Sequence, residues 1–138
     1  SEGKVPFVLN KATVVRDGQD VTLIACGEMV SAAKEAGELL AKQGVSARVL
    51  DMYCVKPLDK EAVVKAAQDT KLIVTIEEHT MYGGMGSMVS QLAAAEAPCR
   101  VINMTLPDAP VITGKSQEVF DYYGLNAAGI VKKVLEYK

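Results

Sequence analysis

Three short runs constrain this chain more than anything else in it: Val21-Thr22-Leu23-Ile24-Ala25-Cys26, Ala47-Arg48-Val49-Leu50-Asp51-Met52 and Leu72-Ile73-Val74-Thr75-Ile76. They are apolar on both alternating faces almost throughout, whereas a strand with one wet face shows period-two alternation. Between them stand helical stripes. Met29, Ala32, Ala33, Ala36, Leu39 and Leu40 recur at one-face helical spacing, and Gly44 follows as a stop. Asp59 is placed to cap a second helix, whose inner face carries Val63, Ala66 and Ala67. A third helix runs through Val89, Leu92 and Ala93 and stops near Pro98. The strand Val101–Met104 follows it, then a short helix after Ser116 and a longer one after Asn126.

Doubly covered strands alternating with helices predict an α/β chain with a mainly parallel sheet between two helical layers. Ala12–Val15 adds a short β-branched strand, and Asp17-Gly18 after it reads locally as a hairpin turn. No repeat or linker divides the 138 residues, so one domain over 1–138 is expected, with 1–11 as a lead-in segment. Right-handed crossovers gather the strand C-termini on one edge, where open α/β sheets bind ligands. That edge collects Gly27, the Tyr53–Lys56 loop, Glu78-His79 with the glycine turn, and Pro107-Asp108.

Chemistry narrows less sharply. Fifteen Lys and Arg against 17 Asp and Glu give a formal charge of −2, without the basic footprint of a nucleic-acid binder. Nothing approaches the run of about 20 apolar residues that crosses a bilayer. The chain shows no secretory pattern, and cytoplasmic location is expected. Cys26, Cys54 and Cys99 are three and far apart, which suits reduced, buried thiols, and zinc-ligand spacing is absent.

The turn Gly83-Gly84-Met85-Gly86-Ser87 stands between a strand and a helix, where free N–H groups attract anions. It suits either a phosphate or nucleotide cradle or close packing against a neighbouring strand or subunit. Val89 stands where the dinucleotide fingerprint needs its third glycine, and packing is favoured. Glu77 and Glu78, adjacent at a strand end, point to opposite faces and are poorly placed to share a proton. No Gly-x-Ser-x-Gly surrounds Ser87, and His79 is the only histidine. As a self-contained enzyme the chain is short of parts.

The runs Asp20–Gly27, Ala47–Met52 and Lys56-Pro57-Leu58-Asp59 resemble the C-terminal domain of transketolase. The most specific stretch is Ile73-Val74-Thr75-Ile76-Glu77-Glu78-His79 followed by Gly83–Ser87, and Tyr123-Gly124-Leu125 before the last helix matches the family's closing element. The chain is similar, more loosely, to 1-deoxyxylulose-5-phosphate synthase and to 2-oxoacid dehydrogenase beta subunits. The resemblance implies a three-layer α/β/α domain with a five-stranded mixed sheet, order 1-3-2-4-5, strand 1 antiparallel. That order does not pair the first two strands, against the local hairpin reading.

It further implies the last domain of a thiamine-diphosphate enzyme of the pentose phosphate pathway type, which transfers two-carbon ketol units between sugar phosphates. In that family an N-terminal domain holds the diphosphate and Mg²⁺, and a middle domain activates the cofactor. By this resemblance the chain binds no cofactor or metal itself and carries no catalytic residue. Its partners are the N-terminal and middle domains or a subunit of the same enzyme, in a dimer, with neither nucleic acid nor membrane. Its role is assembly, domain packing or regulation, with Glu78, His79, Gly83, Gly84, Gly86 and Ser87 as candidate contact residues. Two other functions fit the residues: a free-standing module for a small anion or nucleotide, and a partner-docking domain of a 2-oxoacid dehydrogenase.

Overall fold

The computed structural model describes residues 11–52, 59–78, 84–106 and 116–138. The apolar runs become one sheet. β1 (Thr13–Arg16), β2 (Val21–Ala25), β3 (Ala47–Asp51), β4 (Leu72–Ile76) and β5 (Arg100–Met104) lie in the order β1-β3-β2-β4-β5. β1 is antiparallel to β3, and every other pair is parallel. This is the three-layer α/β/α fold that the resemblance implied, with its strand order and its one antiparallel strand. β2 and β4 are buried at all five positions, as strands with a helix on each face must be.

Helix α1 (Met29–Ala41) lies on one face with α5 (Ala127–Tyr137), and α2 (Lys60–Asp69) lies on the other with α3 (Met85–Glu96). Leu23, Val49, Val74 and Ile76 meet Met29, Leu40, Ile130 and Val134 in the first core. Ile24, Leu50 and Ile73 meet Val63, Met85 and Val89 in the second. Short α4 (Ser116–Tyr122) adds Phe120 to the first core. Burying such side chains is the main favourable term in the fold, at about 1.5–3 kcal/mol each.

The expected helix signals are used. Asp59 caps α2 by accepting the Ala62 N–H at 3.1 Å, and its other oxygen accepts the Ala12 N–H at 2.8 Å. One carboxylate thereby starts a helix and ties down the chain entering β1. Asn126 caps α5 through the Gly129 N–H at 2.8 Å. Gly44, after α1, has φ +80°, the left-handed conformation that glycine adopts without strain.

Gly18 is not a hairpin glycine. β1 pairs with β3, and the link from β1 to β2 passes beneath the start of β3, where a Cβ on Gly18 would lie 2.2 Å from the Ala47 carbonyl carbon. Only a residue without a side chain fits there. The thiols also differ from expectation. Cys26 and Cys99 are only half-buried, since both lie just beyond their strands, and Cys54 lies outside the described residues.

Candidate functional site

At the C-terminal edge of β4 the chain places a carboxylate against the start of a helix. Glu77 follows the last residue of β4 and is buried. Its Oε1 accepts the Met85 N–H at 3.1 Å and its Oε2 accepts the Gly86 N–H at 2.7 Å. These are the first two residues of α3, whose preceding Gly84 has no side chain to cap them. Four N–H groups at any helix start lack intrahelical partners. Here the residue just after β4 satisfies two of them, and its negative charge lies at the positive end of the helix dipole.

The space is closed as well as occupied. A Cβ on Gly86 would come within 2.8 Å of the Asn103 side chain and 3.0 Å of Glu77 Oε2. Asn103, on β5, accepts a hydrogen bond from Thr75 Oγ1 at 2.7 Å and donates to Ser90 Oγ on α3 at 3.4 Å. Thr75 and Glu77 from β4, Asn103 from β5 and Gly86 and Ser90 from α3 therefore form one joint. On the backbone, Glu77 N–H donates to Met104 C=O and Leu106 N–H donates to Glu78 C=O, which carries the β4–β5 pairing past the strands' ends.

Among the described residues this edge carries the carboxylates of Asp51, Glu77 and Glu78 around Cys26. Burial raises the Cys26 thiol above its ordinary value, and the charges of Glu77, Asp51 and Glu78 raise it further. Burial also holds the Asp51 carboxyl above the ordinary carboxylate value. A phosphate approaching this edge meets carboxylates, and the helix start it would seek already carries one.

Of the residues singled out from the sequence, Gly86 takes part in the joint, and Gly84 stands just before α3. Glu78 is half-buried beside the joint, and Ser87 is the third residue of α3 and half-buried. His79 and Gly83 lie outside the described residues. Gly86 packs closely on Asn103 of β5. Glu77, Thr75 and Asn103 were not singled out as a group. The available signal was a charged residue ending an apolar strand, followed by a helix start with no Ser, Thr, Asp or Asn before it.

Among the described residues no group of three His, Cys, Asp or Glu side chains gathers to hold a metal. No helix among them is long and apolar enough to cross a membrane. Two open clefts among the described residues lie elsewhere. One of about 480 Å³ runs between α2 and α3 past Val64 and Leu92, and one of about 540 Å³ lies at the opposite edge of the sheet near Tyr137.

Comparison with known proteins agrees with this architecture. Residues 10–130 match the family described as "Transketolase, C-terminal domain". The chain is 47% identical to one of the subunits of the apulose-4-phosphate transketolase of Phocaeicola vulgatus, over 95% of this chain and 42% of that protein. It is 39% identical to the 1-deoxy-D-xylulose-5-phosphate synthase of Heliobacterium modesticaldum, over 93% of this chain and 20% of that one. Among solved structures it superposes on a split-gene transketolase described as an inactive beta4 tetramer. The TM-score is 0.88 at 36% identity, covering 96% of this chain and 43% of that one. The chain thus spans less than half the length of each.

Proposed function

The chain belongs to the transketolase C-terminal-domain family, and from that premise we propose that it serves a thiamine-diphosphate enzyme as its assembly and packing domain. The enzyme transfers two-carbon ketol units between sugar phosphates, and the remaining domains supply the cofactor chemistry. The carrying observation is the Glu77 joint. The helix start that most resembles an anion cradle holds the chain's own carboxylate at 2.7 Å, with Asn103 closing the space behind it. Such a corner does not fit a diphosphate, which would have to displace a buried carboxylate and then sit beside Glu78 and Asp51.

A built-in anion makes the corner a rigid strut, because two charge-assisted hydrogen bonds tie the end of β4 to α3 and Asn103 ties β5 to both. A strut of that kind suits an edge that docks against other domains. The split-gene transketolase described as an inactive beta4 tetramer supports a domain that does not turn over by itself. The Phocaeicola vulgatus relative, of which this chain covers 42%, is named as one subunit of a transketolase and supports a domain that works within a larger assembly.

Calorimetry of the isolated chain with thiamine diphosphate and Mg²⁺ tests this. No saturable heat is expected from the chain alone, and saturable binding is expected once the polypeptide with the remaining domains is present. Stoichiometric binding by the isolated chain would overturn the reading.

A further inference from the structure

At the opposite flank of the sheet the Arg16 guanidinium has no partner among the described residues. Ala12 packs toward the α2–α3 core and Val15 toward the α1–α5 core, while Val14 between them is 57% exposed. Strict alternation would turn Arg16 away from α1. The β1–β3 register shifts between Val14 and Arg16, however, and the irregularity re-aims Arg16 onto the α1 face.

Helix α1 makes room for it. Gly37, buried in mid-helix, leaves a notch in which a Cβ would stand 3.0 Å from Arg16 Cδ and 3.5 Å from its Nε. Glycine there lowers helix stability by about 1 kcal/mol relative to alanine, so the notch has a cost. The Nε is buried and has no hydrogen-bond partner. Among the described residues Arg16 has no ion pair. The neighbouring carboxylate, Asp17, is engaged by Arg48 Nε at 3.3 Å and by the Gly18 N–H at 2.9 Å. Only Nε is both buried and unpartnered, so the Nη end of the fork is not sealed in.

Arginine is seldom held half-buried without an acceptor, because its desolvation goes uncompensated. A strand irregularity, a mid-helix glycine and an orphaned donor converge on this one side chain. We propose that Arg16 is an anchor for a carboxylate side chain of the polypeptide that completes the enzyme. A single planar fork matches one carboxylate in bidentate geometry, and β1 is an edge strand of the sheet among the described residues. The occupant is assigned to the completing polypeptide because relatives of this chain extend to more than twice its length. The inference therefore rests on the assembly reading above.

Arg16→Met, which keeps the stem and removes the charge, separates an anchor from a structural part. The isolated variant is expected to melt no lower than the wild type, since an unpaired half-buried charge is gone. Its affinity for the completing polypeptide should fall at least about tenfold, as for loss of a desolvated charge pair. Arg16→Lys should recover little of it, because an ammonium lacks the fork. Unchanged affinity in Arg16→Met overturns the anchor while leaving the assembly reading intact. Failure of the wild type to bind that polypeptide overturns both. Loss of self-association in place of partner binding overturns the assignment of the occupant, since a second copy would then supply the carboxylate.

Discussion

Glu77 Oε2 lies 2.7 Å from the Gly86 amide nitrogen, and this short contact joins a strand end to the second residue of a helix, nine positions along the chain. The carboxylate does what a Ser or Asp cap does elsewhere, but from another element, so it ties tertiary structure to helix initiation. Gly86 permits the approach because Asn103 already fills the space a side chain would take.

Replacing Glu77 by alanine should leave two buried N–H groups without acceptors, at about 1–3 kcal/mol each. Urea denaturation is expected to show a loss in that range or above it. Added formate should return part of the loss by entering the vacated space as a small carboxylate. A variant as stable as the wild type would remove the joint from the account.

Two helical glycines should respond differently to alanine. A Cβ at Gly129 would sit 1.8 Å from the Gly124 carbonyl oxygen, which is backbone, whereas at Gly86 it meets the Asn103 side chain at 2.8 Å. Alanine gains about 1 kcal/mol of helix propensity at either site. Gly129→Ala should still be destabilising, by about 1–3 kcal/mol net, because the backbone must move. Gly86→Ala should lose less, and trimming Asn103 to serine should recover part of it. Thermal melts of the four proteins check the order.

Asp59→Ala removes the α2 cap and the hold on the Ala12 N–H together. A loss of about 0.5–2 kcal/mol is expected for the cap. Hydrogen exchange should show the β1 amides opening more readily in the variant. Faster exchange confined to α2 would contradict the link between them.

Much of this architecture was legible because burial on both faces writes itself into composition. β2 and β4 stood out as unbroken apolar runs, and Asp59 and Asn126 preceded their helices as capping residues. The strand order came through the ordered motifs of a family, since local pattern at Asp17-Gly18 pointed to a hairpin. What sequence did not disclose depends on contacts between distant residues. Glu77 caps a helix through space, Gly18 yields to Ala47, and Gly37 opens for Arg16. No period or spacing encodes those pairings. The half-burial of Cys26 follows from its place one residue beyond β2, a boundary that apolar character alone does not locate.

Asp51 gives a pH signature. Burial raises its carboxyl above the ordinary 3.8, so the folded state favours the protonated form. Its contribution is fully present below the unfolded value and is lost as pH rises through the folded one. Asp51→Asn, neutral throughout, should therefore melt higher than the wild type near neutral pH, and the gain should vanish near pH 3. A gain of equal size at both would show that charge burial is not its source.

The claim that this domain assembles an enzyme without performing its chemistry is tested most directly by titrating activity. The polypeptide bearing the remaining domains is held at fixed concentration with thiamine diphosphate and Mg²⁺, and ketol transfer is followed as this chain is added. The account predicts no turnover by either polypeptide alone and a rise that levels off at equimolar mixing. Turnover by this chain alone, or a rate that does not change as it is added, would contradict it.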